Sequence, residues 1–328
     1  MRSAQYWTDA TVLSKRDVTP TVREFNLKPA DGVLPQSLGG HLQLQLLMGG
    51  KLHTRSYSLV GPPGDGIYRI AVKRLDAGRG GSLAMWRLAA GDRLRISEPQ
   101  NHFSLNLNAP AYLLVAGGIG VTPLLHIAQV LARRATTSGQ FLRMAYAART
   151  DDELAYGAEL RAVLGERLCT AISARGQRLN LAHEIAALPR GAQMLVCGPA
   201  TLLDAARRAW GAAGRAEADI RFETFGSNGR FAPQAFRVRI PRHRLDIVVP
   251  ADTSLLDALD AAGVWTIADC KRGECGLCAM DVLAVAGDID HRDVFLSDDE
   301  KQRDTRICTC VSRVVGDITL DSSYRPDT

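Results

Sequence analysis

Five of the seven cysteines lie beyond residue 269, and three of them stand as Cys270-Lys-Arg-Gly-Glu-Cys275-Gly-Leu-Cys278. This C-x4-C-x2-C spacing, followed by Cys308 and Cys310, is the plant-type pattern for a [2Fe–2S] cluster. It requires a loop that wraps the cluster so that four thiolates converge on two irons. Gly273 and Gly276 let the backbone come close and aim N–H groups at the sulfurs. Structural zinc prefers paired short spacings and fits less well. The residue spacing leaves the fourth ligand open. Between Cys278 and Cys308 lie 29 residues, and between Cys278 and Cys310 lie 31; plant-type ferredoxins commonly have close to the shorter spacing.

The remaining sequence frames this loop. A length of 328 residues suggests two or three domains. With 46% hydrophobic and 23% charged residues, a packed globular protein is expected. No apolar run approaches a membrane span, and Met1 to Trp7 contains no apolar leader, so a cytoplasmic location with no membrane partner is expected. From Phe236 to Thr328 there are 12 Lys+Arg and 17 Asp+Glu, a balance of −5, against +5 for the whole chain. An acidic module suited to a basic partner, and a basic remainder suited to phosphates, fit this asymmetry. No Lys/Arg block or aromatic interleaving points to nucleic acid.

Hydrophobic periodicity divides the chain. Up to about residue 106, short apolar runs such as Leu42–Leu47 and Tyr68–Lys73 alternate with turns at Gly39-Gly40, Gly49-Gly50 and Gly61-Pro-Pro-Gly64. That pattern predicts an antiparallel barrel or sandwich. From about 110 to 225, strands at Ala111–Ala116, Phe141–Ala148 and Met194–Cys197 alternate with helices at Pro123–Arg134 and Glu153–Leu164, which predicts a parallel α/β sheet. Gly226-Ser-Asn-Gly-Arg230 reads as a linker. Phe236–Ile240 and Leu245–Val249 read as strands, and Ser254–Ala262 as a helix stopped by Gly263.

The cysteine loop, Asp288-Ile-Asp-His-Arg-Asp-Val-Phe-Leu-Ser297 and Ile307-Cys-Thr-Cys-Val-Ser-Arg313 together resemble the ferredoxin domain of the phthalate dioxygenase reductase-like family, and the likeness runs through essentially the whole chain. It implies a multidomain fold. An antiparallel β-barrel flavin domain would span 1–108 and an α/β parallel-sheet nucleotide domain 109–226. A linker would follow at 227–235, and an α+β ferredoxin-like (β-grasp) domain at 236–328. Thr309-Cys310-Val311-Ser312 matches the family's flanks of the fourth ligand, so the resemblance implies a metal set of Cys270, Cys275, Cys278 and Cys310.

Arg55-Ser56-Tyr57-Ser58 matches the R-x-Y-S motif of flavin-binding reductases. By resemblance, Tyr57 packs on the isoalloxazine and Ser58 lies near flavin N5. Arg55 holds the phosphate or its surroundings, and Ala71, Val72 and Lys73 run beside the ring. Gly78-Arg79-Gly80-Gly81-Ser82 can offer backbone N–H groups to a terminal phosphate, which favours FMN over FAD.

Gly117-Gly118-Ile119-Gly120-Val121-Thr122-Pro123 follows a buried strand and opens a helix, a place for pyrophosphate at free N–H groups. Cys197-Gly198-Pro199 matches the family motif beside nicotinamide, and Phe225 in Phe222-Glu-Thr-Phe225-Gly would sit against the flavin. Ser58, Cys197 and Phe225 are thus the residues expected at the reacting rings. Asp151, in Arg149-Thr-Asp-Asp152 after the second strand, can accept from a ribose 2′-OH and repel a 2′-phosphate, which favours NADH over NADPH.

The resemblance implies that NADH delivers a hydride to FMN, and that single electrons leave through the cluster to a partner terminal oxygenase. That oxygenase would be a Rieske enzyme of the aromatic-ring dioxygenase or O-demethylase type. Two alternatives have the same sequence features: a reductase for a cytochrome P450 or diiron hydroxylase, and a non-catalytic electron-transfer subunit. The intact flavin and nucleotide motifs weigh against the second. None of the seven histidines has metal-ligand spacing, and there is no hydrolase motif.

Overall fold

The structure is a computed structural model that describes residues 6–62, 64–76, 80–225 and 229–322. Pro63, the Gly78-Arg79 part of the glycine-rich turn and the Gly226-Ser227-Asn228 part of the linker lie outside the described residues. The chain divides into two compact units, Met1–Glu223 and Thr224–Thr328.

The first unit contains two sheets. One is built from β1 (Trp7–Thr19), β2 (Val22–Pro29), β3 (His41–Met48), β4 (Lys51–Ser58), β5 (Tyr68–Lys73) and β6 (Arg93–Ser97), with helix α1 (Gly81–Arg87) between the last two. The strand order is β4-β3-β6-β1-β2-β5. An antiparallel bridge from Leu59 to Ile70, and the Val60 N–H donating to the Arg69 carbonyl at 2.8 Å, join the two outer strands and close the barrel. Leu42, Leu44 and Leu46 alternate into the core, where Phe25, Leu27 and Ile70 are fully buried. Gly49 and Gly50, both with positive φ, make the two-residue β3–β4 hairpin that sets Met48 opposite Lys51.

The other sheet follows directly: β7 (Ala111–Gly117), α2 (Val121–Ser138), β8 (Phe141–Ala148), α3 (Gly157–Leu164), β9 (Leu168–Ile172), α4 (Leu181–Ala186), β10 (Gln193–Gly198), α5 (Ala200–Ala212) and β11 (Ile220–Thr224). Its order is β11-β10-β7-β8-β9, and β10, β7, β8 and β9 pair in parallel. All seven residues of β7 are buried, as a strand covered on both faces must be. Strand order reverses between β7 and β10, the topological switch point where α/β sheets bind ligands. Helix α2 runs past the expected Arg134 and stops where Gly139 turns left-handed. Helix α3 begins at Gly157 and not at Glu153; Asp151–Glu153 is a separate 3-10 turn.

In the second unit, β12 (Phe236–Ile240), β13 (Leu245–Val249), β14 (Ala279–Asp290), β15 (Arg306–Cys308) and β16 (Arg313–Asp321) form a sheet of order β13-β12-β16-β14-β15, with α6 (Leu255–Ala261) and α7 (Asp298–Arg303) in the connections. Only β12 and β16 among these described pairs run parallel. Leu255 and Leu259 of α6 pack on Phe236, Val238 and Ile318, the sheet's apolar face. Ser254 caps α6 by accepting from the Asp257 N–H at 3.0 Å. Among the described residues no helix is long and apolar enough to cross a membrane.

Candidate functional site

In the barrel, register places Arg55 opposite Leu44, Tyr57 opposite Leu42 and Ser58 opposite His41. Tyr57 packs half-buried on the barrel core. Burial raises its hydroxyl pKa above the ordinary value, so it stays neutral at physiological pH. Ser58 is 3% exposed, and its Oγ has no hydrogen-bond partner among the described residues. A buried orphan hydroxyl is costly unless something else meets it, and a flavin ring nitrogen can. Arg55 lies against Gly81, where an added Cβ would stand 2.9 Å from Nε, so the turn carrying Gly80, Gly81 and Ser82 sits directly at that guanidinium. The Ser82 hydroxyl, in the first turn of α1, accepts from the Leu75 N–H at 3.1 Å. Ala71 and Val72 are buried on β5. The residues expected around flavin therefore fit it. Lys73 ends the same strand, and its Nζ pairs with Glu153 Oε2 at 2.6 Å.

The two nucleotide motifs meet at the switch point. A Cβ on Gly120 would lie 2.1 Å from the Cys197 carbonyl oxygen, and one on Gly117 would lie 2.7 Å from Pro199 Cδ. The backbones touch because those positions lack side chains, and Gly198 in turn comes up against the Gly117 N. The Thr122 hydroxyl donates to the Ile119 carbonyl at 2.9 Å, and Pro123 is buried in the first turn of α2. Cys197 is wholly buried. Asp151 is exposed in the turn after β8 and pairs with Arg175, which follows β9. Sequence reasoning had not singled out Arg175, since nothing local marks it. Phe225, in the second unit, is half-buried just after β11.

In the second unit five thiols converge, with both Cys308 and Cys310 beside Cys278 and with Cys275 beside Cys270. Cys278 Sγ is 3.2 Å from Cys310 Sγ, and Cys270 is within hydrogen-bonding reach of Cys275. Two thiols per iron is the donor set that a two-iron cluster takes. The Arg272 and Glu274 N–H groups point at Cys270 Sγ, each at 3.4 Å. The loop is held from outside by the segment that follows β14. The Val294 N–H donates to the Gly273 carbonyl at 2.9 Å, and a Cβ on Gly276 would strike the Phe295 ring at 2.2 Å. Behind it, the fully buried Asp293 carboxylate accepts from the Leu296 N–H at 2.8 Å and the Ser312 hydroxyl at 3.1 Å. Cys308 is buried opposite Ala279 and also reaches Cys278. The two candidates for fourth ligand differ in surroundings: Cys310 receives the Gly273 N–H and lies near Cys270, whereas Cys308 lies near Asp293.

Residues 239–315 match the 2Fe-2S iron-sulfur cluster binding domain family, and residues 114–208 the oxidoreductase NAD-binding domain family. The chain is 40% identical to a heme-dependent oxidative N-demethylase beta subunit from Ectopseudomonas mendocina, over 95% of this chain and 98% of that one. It is 33% identical to a phthalate 4,5-dioxygenase oxygenase reductase subunit from Pseudomonas putida, covering 96% of each. The solved structure of phthalate dioxygenase reductase superposes with a TM-score of 0.78 at 29% identity, over 96% of this chain and 98% of that one. The chain belongs to the phthalate dioxygenase reductase-like family. This reductase is an oxidoreductase with an NAD-binding domain and a 2Fe-2S cluster binding domain. Its barrel, parallel sheet and ferredoxin-like sheet are the fold of that family.

Proposed function

We propose that the reductase takes electrons from NADH and hands them singly to a terminal oxygenase in the cytoplasm. The observation that supports the reading is the convergence of Cys270, Cys275, Cys278, Cys308 and Cys310 in a chain whose first unit brings its two nucleotide motifs into contact. When bound, FMN takes electrons in pairs from NADH and releases them singly, and the cluster passes them on. The protein's part is to bind, align and exclude water.

In this reading residues 1–108, 109–226 and 236–328 are the flavin, nucleotide and ferredoxin domains. Tyr57 covers the ring, Ser58 bonds it, and Arg55 with Gly80, Gly81 and Ser82 holds the phosphate. Gly117, Gly118, Gly120, Thr122 and Pro123 cradle pyrophosphate. Cys197, Gly198 and Pro199 flank nicotinamide, and Asp151 takes the adenine ribose. Cys270, Cys275, Cys278 and Cys310 hold the cluster. The Gly273 N–H directed at Cys310 supports Cys310 over Cys308.

The partner we favour is a Rieske oxygenase, the acceptor implied by the loop motifs. A haem-dependent demethylase is the second reading, and the name of the 40%-identical relative supports it. Reconstitution decides between them. The reductase loaded with FMN and iron should reduce dyes with NADH alone, and should support substrate turnover by one class of oxygenase and not the other. Failure to reduce dyes with NADH would overturn the reading itself.

A further inference from the structure

Glu153 follows Asp151 and Asp152 in the turn after β8, where helical periodicity predicts the start of a helix. The helix is displaced four residues because side chains here are claimed elsewhere. Glu153 Oε1 accepts from the Thr21 hydroxyl at 2.6 Å, and Oε2 from Lys73 Nζ at 2.6 Å. Thr21 lies between β1 and β2, and Lys73 ends β5, paired with Val22. One carboxylate therefore fastens the ends of adjacent barrel strands to the nucleotide sheet. Burial would raise its pKa, but Lys73 and Thr21 outweigh that and hold it below the ordinary carboxylate value. Three residues on, the Tyr156 hydroxyl donates to the buried Glu24 carboxylate of β2 at 2.9 Å, and Tyr156 takes a left-handed φ of +58°. An uncommon backbone state at a bulky residue persists only where its surroundings over-determine it.

In the reading above, this segment carries Asp151 at the adenine ribose; its bonds to Thr21, Lys73 and Glu24 fasten it to β2 and to β5, the strand expected beside the flavin. We propose that Glu153 is a positioning residue: through Lys73 and Thr21 it fixes β5, and with it the flavin, relative to the segment that receives NADH. The inference rests on the flavin- and NADH-dependent reading above. The step it serves is NADH + FMN + H⁺ giving NAD⁺ + FMNH₂, in which the C4–H bond of NADH breaks and two electrons move to the flavin. Ring-to-ring placement governs such a transfer, and errors of about 1 Å cost up to about 100-fold.

The test uses holoprotein with FMN and cluster in place, and compares wild type with Glu153→Gln, Thr21→Val, Lys73→Met and the Glu153→Gln/Lys73→Met pair. Rapid mixing gives the limiting rate of flavin reduction separately from the dissociation constant for NADH. Visible circular dichroism reports the setting of the bound flavin. Glu153→Gln should lower the limiting rate by about 10-fold or more and alter the flavin dichroism. The cluster's electron paramagnetic resonance should be unchanged, Thr21→Val should show a smaller loss, and the double variant should be no worse than the more affected single one. Thr21→Val keeps the Lys73–Glu153 pair, so it remains informative if Glu153→Gln folds poorly. An unchanged limiting rate with only a lower melting temperature, or a weaker affinity for NADH alone, overturns the proposal. A wild type that NADH cannot reduce would instead sink the functional reading.

Discussion

The loop from Cys270 to Cys278 and the segment from Arg149 to Tyr156 are both short, turn-rich connections at a proposed site, yet they are held in different ways. The cysteine loop is shaped largely by main chain. Gly273 and Gly276 take positive φ, N–H groups point at sulfur, and an aromatic ring occupies the space where Gly276 has no side chain. The Arg149–Tyr156 segment is shaped by side chains reaching distant partners, Thr21–Glu153 and Glu24–Tyr156 both lying 132 residues apart in sequence. A main-chain-shaped loop depends on what cannot be added to it. A side-chain-shaped one depends on what cannot be removed.

The largest effect should come from the cysteines. Cys310→Ser should lose the [2Fe–2S] absorbance and paramagnetic signal while keeping NADH-driven ferricyanide reduction through the flavin. Cys308→Ser should keep the cluster. The reverse result would assign the fourth ligand to Cys308 and break the argument from main-chain N–H direction.

Next is Gly276→Ala. Its φ of +72° and the Phe295 ring together should cost about 1–3 kcal/mol, read as a lower melting temperature and faster cluster loss. Adding Phe295→Ala should recover part of the loss. No recovery would mean that the glycine serves φ alone.

On the side-chain-held segment, Asp151→Asn should weaken the preference for NADH over NADPH. The exposed Asp151–Arg175 pair puts the change at roughly 1 kcal/mol, or about fivefold in the ratio of kcat/KM values. A wild type that prefers NADPH would show Arg149 and Arg175 to be the dominant charges there.

The smallest effect tests whether the cysteine loop is free of side-chain support. His291 stands beside Asp293 and hydrogen-bonds Asp304 at 2.9 Å. Burial lowers its pKa, but bonds and charge from Asp293 and Asp304 more than offset this, and the net shift is upward. A raised histidine pKa gives stability that is full below the unfolded value of about 6.5 and is lost as pH rises through the folded one. Melting of the holoprotein should therefore weaken on going from about pH 6 to pH 8, and His291→Gln should flatten that slope. An unaltered slope would remove His291 from the account.

Sequence legibility follows the same division. Strands at Phe141–Ala148, Phe236–Ile240 and Leu245–Val249 begin and end where the apolar runs placed them, because the pattern that sets them is local. The start of α3 was misplaced because Glu153 and Tyr156 answer to Lys73, Thr21 and Glu24, partners that no local pattern reveals. The glycine motifs and the cysteines were legible since their spacing is their function. The contacts that fix Lys73 and Asp151 were not, because ion pairs between distant segments leave no period in the chain.

The 3.2 Å approach of Cys278 and Cys310 bears on how the cluster is acquired. Two thiols that close are about a bond's length from a disulfide, whose sulfurs stand ~2.05 Å apart. An oxidant that takes two electrons and two protons from them would close that bond, and Cys308 beside them offers a third sulfur for exchange. Iron must then reach a chain whose thiols are still reduced, so maturation becomes a race between metallation and oxidation. A cell that keeps its thiols reduced favours the first.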